Sequence, residues 1–123
     1  MVKILVATRN AGKLRELEQV LAELAIEGAE LVSLDDVPSY PEPKETGLTF
    51  HDNALIKARA GAQASGLPCV ADDSGLEVEA LNCMPGVLSA RWSGTHGDDE
   101  ANNRLLLAQM EDIDNRAAAF VSN

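Results

Sequence analysis

A strand pattern that passes directly into a helix pattern near the start of the chain constrains the fold more than any other feature. Residues 3–7 form a short apolar run with the length of a buried strand. After residues 8–12, leucines recur at spacings of three and four, which predicts an amphipathic helix through Leu14, Leu17, Leu21 and Leu24. A strand that feeds a helix begins a β-α-β unit, so we expect an α/β protein.

The rest of the chain repeats this alternation. Thr49 and Asp52 have the spacing of a capping box, which predicts a second helix that continues to Ser65. Acidic residues at 98–100 predict the first turn of a third helix, which reaches Met110. Strands are predicted at residues 30–34, 68–71, 76–81 and 116–122, a turn at 72–75, and loops at 35–47 and 82–95. This order predicts one domain over residues 1–123 with a mixed sheet.

The charge and composition exclude several classes of function. Twenty acidic residues against ten basic ones give a net charge of −10, which argues against binding to nucleic acid polymers. The apolar run at residues 4–7 is too short for a membrane span or a signal peptide, so no membrane partner is expected. Cys69 and Cys83 fit no metal-binding or redox motif and are expected to be free thiols. Together these features predict a soluble, cytoplasmic protein.

The first strand-to-helix junction has the residues of an anion site. Thr8 and Asn10 supply side-chain donors, Gly12 permits close approach to the backbone, and Arg9 and Lys13 add positive charge. Helix N-termini also present backbone N–H groups and the positive end of the helix dipole. The alternative is that Asn10 only caps the helix beside two solvated basic residues. At this point the two interpretations are about equally supported.

Two adjacent carboxylates, Asp72 and Asp73, follow the predicted strand at residues 68–71. Ligands of open α/β sheets bind beyond the carboxyl ends of the strands, and paired carboxylates there can hold Mg²⁺ beside substrate phosphates. One of the two carboxylates is also a candidate base for activating water. A plain polar turn remains the alternative, since Asp, Ser and Gly all favour turns.

Two further segments carry candidate binding residues. Asn53 and Lys57 are four residues apart, which places them on one helix face after the loop that contains Glu45. Arg91 is suited to a bidentate contact with phosphate or carboxylate, with Trp92 packed beside it. Considered alone, Glu45 and Lys57 are better explained as ordinary loop and surface residues, and a loop-stabilising role explains Arg91 at least as well as ligand binding.

Taken together and in this order, the four segments resemble the inosine triphosphate pyrophosphatase family of noncanonical purine nucleoside triphosphate pyrophosphatases. Each motif is weak alone, but the ordered set is specific and spans almost the whole chain. The matching residues are Thr8, Asn10 and Lys13; Glu45, Thr46, Gly47 and Phe50; Asn53, Ala54, Lys57 and Ala58; Ala71, Asp72, Asp73, Ser74, Gly75 and Leu76; and Pro85, Gly86, Val87, Ser89, Ala90 and Arg91.

The resemblance implies a two-lobed α/β fold with a mixed, twisted sheet, and a homodimer. It implies Mg²⁺-dependent hydrolysis of inosine, deoxyinosine and xanthosine triphosphates to the monophosphate and pyrophosphate, which keeps these nucleotides out of nucleic acids. By position, Glu45 and Asp73 serve the metal, with Asp72 beside them, and Asp73 is the proton acceptor. The residues expected to bind substrate are Thr8, Arg9, Asn10, Ala11, Gly12, Lys13, Asn53, Lys57, Ser74 and Arg91.

The resemblance also implies that a C-terminal part is missing. Family members continue past the strand at residues 116–122 with a Phe-Gly-Tyr-Asp segment and a Ser-His-Arg segment, which grip the purine base. We therefore expect this chain to hydrolyse inosine triphosphate poorly, to discriminate weakly among bases, and to self-associate through an unpaired strand edge. The alternatives are a catalytically weak nucleotide- or metal-binding module and a protein-interaction role.

Overall fold

The computed structural model describes residues 2–23 and 28–123 and shows a mixed α/β protein. These residues form three helices and six strands, together with short 3₁₀ turns. The elements are β1 (Val2–Val6), α1 (Ala11–Glu23), β2 (Ala29–Val32), α2 (Phe50–Ser65), β3 (Cys69–Val70), β4 (Ser74–Val78), β5 (Met84–Pro85), α3 (Asp99–Gln109) and β6 (Ala118–Ser122). The predicted fold class is confirmed, and the parallel and antiparallel strands form two separate three-stranded sheets.

The chain divides into two compact units. Unit 1 comprises Met1–Thr46 and Ala54–Asp72, and unit 2 comprises Gly47–Asn53 and Asp73–Asn123.

Unit 1 contains the parallel sheet, in the order β2-β1-β3. Leu5 of β1 pairs with Val32 of β2 on one side and with Cys69 of β3 on the other. Leu5 and Val6 are almost completely buried, as expected for the central strand of a parallel sheet. Burial of each such side chain contributes about 1.5–3 kcal/mol, so this strand stabilises unit 1.

Unit 2 contains the antiparallel sheet, in the order β5-β4-β6. The register pairs Ser74 with Ser122 and Val78 with Ala118, so β4 and β6 match over their full length. Asp73 and Asn123 exchange two backbone hydrogen bonds of 2.8 Å just beyond the strands. Because hydrogen-bonded pairs alternate along an antiparallel ladder, the N–H and C=O groups of residues 118, 120 and 122 face away from β4.

Local sequence signals placed the helices well. Thr49 Oγ1 accepts a hydrogen bond of 3.1 Å from the Asp52 N–H at the start of α2, and Asp98 Oδ1 accepts one of 3.1 Å from the Ala101 N–H at the start of α3. Both predicted helix starts are therefore confirmed. The helix predicted through Leu24 is described only as far as Glu23, since residues 24–27 lie outside the described residues.

The turn and loop predictions needed two corrections. The turn predicted at residues 72–75 is wrong in its second half, because Ser74 and Gly75 already pair with β6 as the first residues of β4. The segment predicted as an irregular loop contains β5 and the 3₁₀ turn Gly86–Arg91. Among the residues that the structure describes, no helix is long and apolar enough to cross a membrane.

Candidate active site

The junction between β1 and α1 is organised by Asn10. Its Oδ1 accepts hydrogen bonds from the N–H groups of Gly12 (2.9 Å) and Lys13 (3.4 Å), while Thr8 Oγ1 accepts one of 3.1 Å from the Asn10 N–H. Asn10 therefore caps α1, as one of the two interpretations of this segment expected. The cap fixes the start of the helix and with it the position from which the Lys13 side chain extends.

The parallel pairing of β1 with β3 brings Lys13 to Asp72. Both strands end at the same edge of the sheet, so the residues that follow Val6 and Val70 lie side by side. There the Lys13 ammonium group forms an ion pair with the Asp72 carboxylate. The two side chains are 30% and 33% exposed, so this pair is partly shielded from water.

Lys57 extends this contact to a second carboxylate. From α2, its Nζ donates a hydrogen bond of 3.0 Å to the Asp72 backbone carbonyl and lies 2.9 Å from Glu45 Oε1. Lys13, Asp72, Lys57 and Glu45 thus form a connected set, which we call the ion-pair chain. The structure brings together four of the predicted site residues, from four separate segments of unit 1.

Arg9, the third basic residue predicted to bind phosphate in unit 1, is paired as well. Its Nε lies 3.5 Å from Glu42 Oε2, and both side chains are more than half exposed. An exposed pair of this kind contributes little to stability, on the order of 0–1 kcal/mol. All three candidate phosphate-binding cations of unit 1 therefore have a carboxylate partner.

The predicted metal ligands fit Mg²⁺ by their chemistry and not as a preformed cage. Within residues 2–23 and 28–123, no group of three or more His, Cys, Asp or Glu side chains lies close enough to hold a metal ion. Mg²⁺ is nevertheless commonly bound by one or two carboxylates together with substrate phosphates and water. The oxygen atoms of Glu45, Asp72 and Asp73 are donors of that type.

In unit 2, Asp73 lies at the end of the β4–β6 ladder. Its side chain is buried, and its backbone N–H and C=O both bond to Asn123. Ser74 follows as the first residue of β4 and is half-buried. The position of Asp73 is thus set by regular strand pairing and not by a flexible turn.

The turn that carries Arg91 is fastened to β4 by Ser89. The Ser89 hydroxyl accepts a hydrogen bond of 2.9 Å from the Leu76 N–H and donates one of 2.6 Å to the Gly86 carbonyl. Gly75 passes so close that an added Cβ would lie 2.5 Å from the Gly86 oxygen. Only glycine fits at position 75, which explains the Ser-Gly sequence there.

Asn53 is completely buried, with 0% of its surface exposed. Its Oδ1 accepts a hydrogen bond of 2.7 Å from the Gly47 N–H, and its Nδ2 donates one of 3.5 Å to the Gly47 carbonyl. The side chain thus holds the segment before α2 against the start of the helix. Its predicted contact with substrate stays a prediction.

Asn102 on α3 was not anticipated from the sequence. It is buried, its Oδ1 accepts a hydrogen bond of 2.7 Å from the Ser93 N–H, and its Nδ2 donates one of 3.0 Å to the Ala90 carbonyl. These two bonds bracket Arg91 and fix the end of its turn. The available signal was an asparagine inside a helix, where this residue is unfavourable unless its amide has partners. Trp92 donates its indole N–H to Gln109 Oε1 at 2.8 Å.

Cys69 and Tyr40 are neighbouring, half-buried residues of unit 1. Both groups lie close to Gly61, where an added Cβ would be 2.6 Å from Cys69 Sγ and 3.2 Å from the Tyr40 hydroxyl. Burial raises the pKa of the Cys69 thiol, and burial together with the nearby Cys69 raises the pKa of Tyr40. Both cysteines are free thiols, as predicted.

Solved structures with the same fold define the class of this protein. A crystal structure described as a nucleoside-triphosphatase or dITP/XTP pyrophosphatase from Mycobacterium abscessus is 66% identical, with a TM-score of 0.85 over 98% of this chain and 63% of that one. A HAM1 protein from Coxiella burnetii is 39% identical, with a TM-score of 0.87 over 99% of this chain and 61% of that one. The chain is therefore a mixed α/β protein of the fold that these two proteins share.

Sequence comparison gives the family. The profile of the Ham1 family matches residues 4–123, and the chain belongs to this family. Relatives named dITP/XTP pyrophosphatase are 64% identical in Nocardia farcinica, over 99% of this chain, and 66% identical in Mycobacteroides abscessus, over 98% of it. The chain spans 60% of the length of each of these two relatives. The family expected from the motifs is thus confirmed.

Proposed function

We propose that this protein contributes the phosphate- and metal-binding part of an enzyme that hydrolyses noncanonical purine nucleoside triphosphates, such as deoxyinosine and xanthosine triphosphates, to the monophosphate and pyrophosphate. The ion-pair chain carries the proposal, because it places two candidate phosphate-binding lysines beside two candidate metal-binding carboxylates at one sheet edge. The names of the relatives supply the substrate class.

Each part of the site has a task in this reaction. Lys13 and Lys57 neutralise the negative charge of the triphosphate, and the capped start of α1 adds the positive end of its dipole. Glu45, Asp72 and Asp73 are the residues that would hold Mg²⁺. When bound, Mg²⁺ neutralises phosphate charge and lowers the pKa of a bound water.

Asp73 is the proposed proton acceptor for water. One water molecule adds at phosphorus, the anhydride bond between the α- and β-phosphates breaks, and pyrophosphate leaves. A carboxylate that takes the proton of the attacking water contributes rate by general base catalysis, on the order of 10²- to 10⁴-fold. Burial of Asp73 at the end of the β4–β6 ladder supports this role, since a fixed base loses less orientation freedom during the reaction.

Product analysis tests the reaction type. We expect the chain, incubated with Mg²⁺ and deoxyinosine triphosphate, to release deoxyinosine monophosphate and pyrophosphate in equal amounts, as resolved by ion-exchange chromatography. Release of the diphosphate and inorganic phosphate instead would contradict the proposal. Binding of the nucleotide without any product would favour the binding-module alternative.

A lysine variant tests the assignment to the triphosphate. Lys13→Ala is expected to weaken binding of inosine, xanthosine and adenosine triphosphates by a similar factor, because the lysine contacts phosphate and not base. A charge-assisted contact is worth about 1.5–3 kcal/mol, which corresponds to about a tenfold to hundredfold loss of affinity. Calorimetry that shows an altered preference among the bases would contradict the assignment.

Two further proposals concern the state of the protein. We propose a homodimer, as the family resemblance implies, and a cytoplasmic location, as the composition and free thiols favour. Sedimentation equilibrium measures the first, and fractionation of the source cells measures the second.

A further inference from the structure

The ion-pair chain joins groups that are assigned to two different ligands. Lys13 is a candidate for the triphosphate and Asp72 for the metal, yet the two side chains form an ion pair with each other. Lys57 and Glu45 form a second pair of the same kind, only 18–23% exposed and linked to the first through the Asp72 carbonyl. Each charged group of the ion-pair chain therefore already contacts a group of opposite charge.

This pairing has a consequence for the order of binding. A cation that approaches alone must compete with Lys13 for the Asp72 carboxylate, and an anion that approaches alone must compete with Asp72 for the Lys13 ammonium group. Either competition leaves one partly buried charge without its partner, which is unfavourable. When both ligands arrive together, each released protein charge meets a new partner, so the unfavourable step does not occur.

We propose that nucleotide and metal bind to this site by exchange of ion pairs, so that each ligand promotes binding of the other. This inference rests on the proposed function and describes how ligand binding at the same site is regulated. Metal alone and triphosphate alone bind weakly because the protein's own charges compete with them. The ion pairs thus act as a gate that admits the metal–triphosphate complex in preference to either component.

The proposal predicts that removal of either partner of the Lys13–Asp72 pair strengthens binding of the ligand that the remaining partner contacts. Lys13→Met removes the competitor for Asp72, so it raises the affinity for a divalent cation added alone. Asp72→Asn removes the competitor for Lys13, so it raises the affinity for metal-free triphosphate. A partly exposed pair of this type supports a change of about two- to fivefold in each dissociation constant. A simple binding role for each residue would give no gain in either case.

The experiment uses ligands that lack a purine base, and it includes a matched control for each variant. Mn²⁺ alone is titrated by electron paramagnetic resonance of the free ion, and inorganic tripolyphosphate alone by calorimetry in the presence of a chelator. Arg104→Met and Glu100→Gln serve as controls, because Arg104 and Glu100 form an exposed ion pair of 3.0 Å on α3. Each control makes the same change in net charge as the variant it matches, so general attraction or repulsion is subtracted.

The expected result is tighter Mn²⁺ binding by Lys13→Met than by Arg104→Met, and tighter tripolyphosphate binding by Asp72→Asn than by Glu100→Gln. Circular dichroism confirms that all four variants are folded. Equal affinities within each matched pair overturn the exchange, even if the wild-type chain releases pyrophosphate from deoxyinosine triphosphate. Tighter binding in both variants, together with no pyrophosphate release by the wild-type chain, supports the exchange and contradicts the proposed function.

Discussion

Replacement of Asn102 by alanine tests how the turn that carries Arg91 is held. The buried amide makes two hydrogen bonds, with the Ser93 N–H at 2.7 Å and the Ala90 carbonyl at 3.0 Å. Its neighbour Asn103 is exposed on the same helix. The two asparagines therefore form a matched pair in which only one side chain has these partners.

These contacts determine the expected loss in free energy of unfolding for Asn102→Ala. Two hydrogen bonds contribute about 1 kcal/mol each, and loss of the packed amide adds about 0.5 kcal/mol. Alanine is better than asparagine inside a helix by about 0.5 kcal/mol. The free energy of unfolding should fall by about 2 kcal/mol for Asn102→Ala and rise by about 0.5 kcal/mol for Asn103→Ala.

Urea denaturation monitored by tryptophan fluorescence measures this difference, since Trp92 directly follows the same turn. For an m-value of about 1.5 kcal/mol/M, the midpoint for Asn102→Ala should lie roughly 1.3 M below the wild type. Midpoints for the two alanine variants within about 0.3 M of each other would refute the assigned role.

Three further predictions concern other parts of the chain. Because the pKa values of Cys69 and Tyr40 are raised in the folded state, that state holds more protons than the unfolded state above pH 9, and stability falls as the pH rises further. Between pH 8 and pH 11, the urea midpoint should therefore fall less for Cys69→Ala than for the wild type, and an equal fall in both proteins would contradict this. Gly75→Ala forces a Cβ to within 2.5 Å of the Gly86 oxygen and should lower the free energy of unfolding by about 1–3 kcal/mol; an unchanged urea midpoint would show that the backbone adapts. The outward-facing edge of β6 carries Phe120, which is 73% exposed, so we expect concentration-dependent self-association that Phe120→Lys reduces; identical sedimentation of both proteins would exclude this edge.

The parts of the fold that were predictable depend on contacts close in sequence. The start of α2 followed from the cap residue Thr49, and the start of α3 followed from the acidic residues at 98–100. The hydrogen bonds that Thr49 and Asp98 accept there reach only three residues along the chain. The turn predicted at Ser74 was wrong because this residue belongs to a strand through its pairing with Ser122, which is distant in sequence. Likewise β5 exists because Pro85 pairs with Glu77 across an irregular connection that gives no periodic signal.

In the candidate site, too, contacts between residues that are distant in sequence could not be predicted. The sequence identified Lys13 and Asp72 as candidates for different ligands, but not their contact, because they are 59 residues apart. That contact depends on β3 lying directly beside β1, which the order of strands along the chain does not determine. Asn102 was missed because a buried polar residue on a helix becomes recognisable only when its partners, the backbone of Ala90 and Ser93, are known.

The most direct test of the proposed chemistry compares two identical substitutions in unit 2. Asp73→Asn removes the buried carboxylate at the end of the β4–β6 ladder, whereas Asp112→Asn removes an exposed one. Pyrophosphate release from deoxyinosine triphosphate is measured with Mg²⁺ present, after circular dichroism shows that both variants are folded. We predict a loss of at least about 100-fold for Asp73→Asn and an unchanged rate for Asp112→Asn. Equal rates for the two variants would contradict the assignment of Asp73 and the account of the site that depends on it.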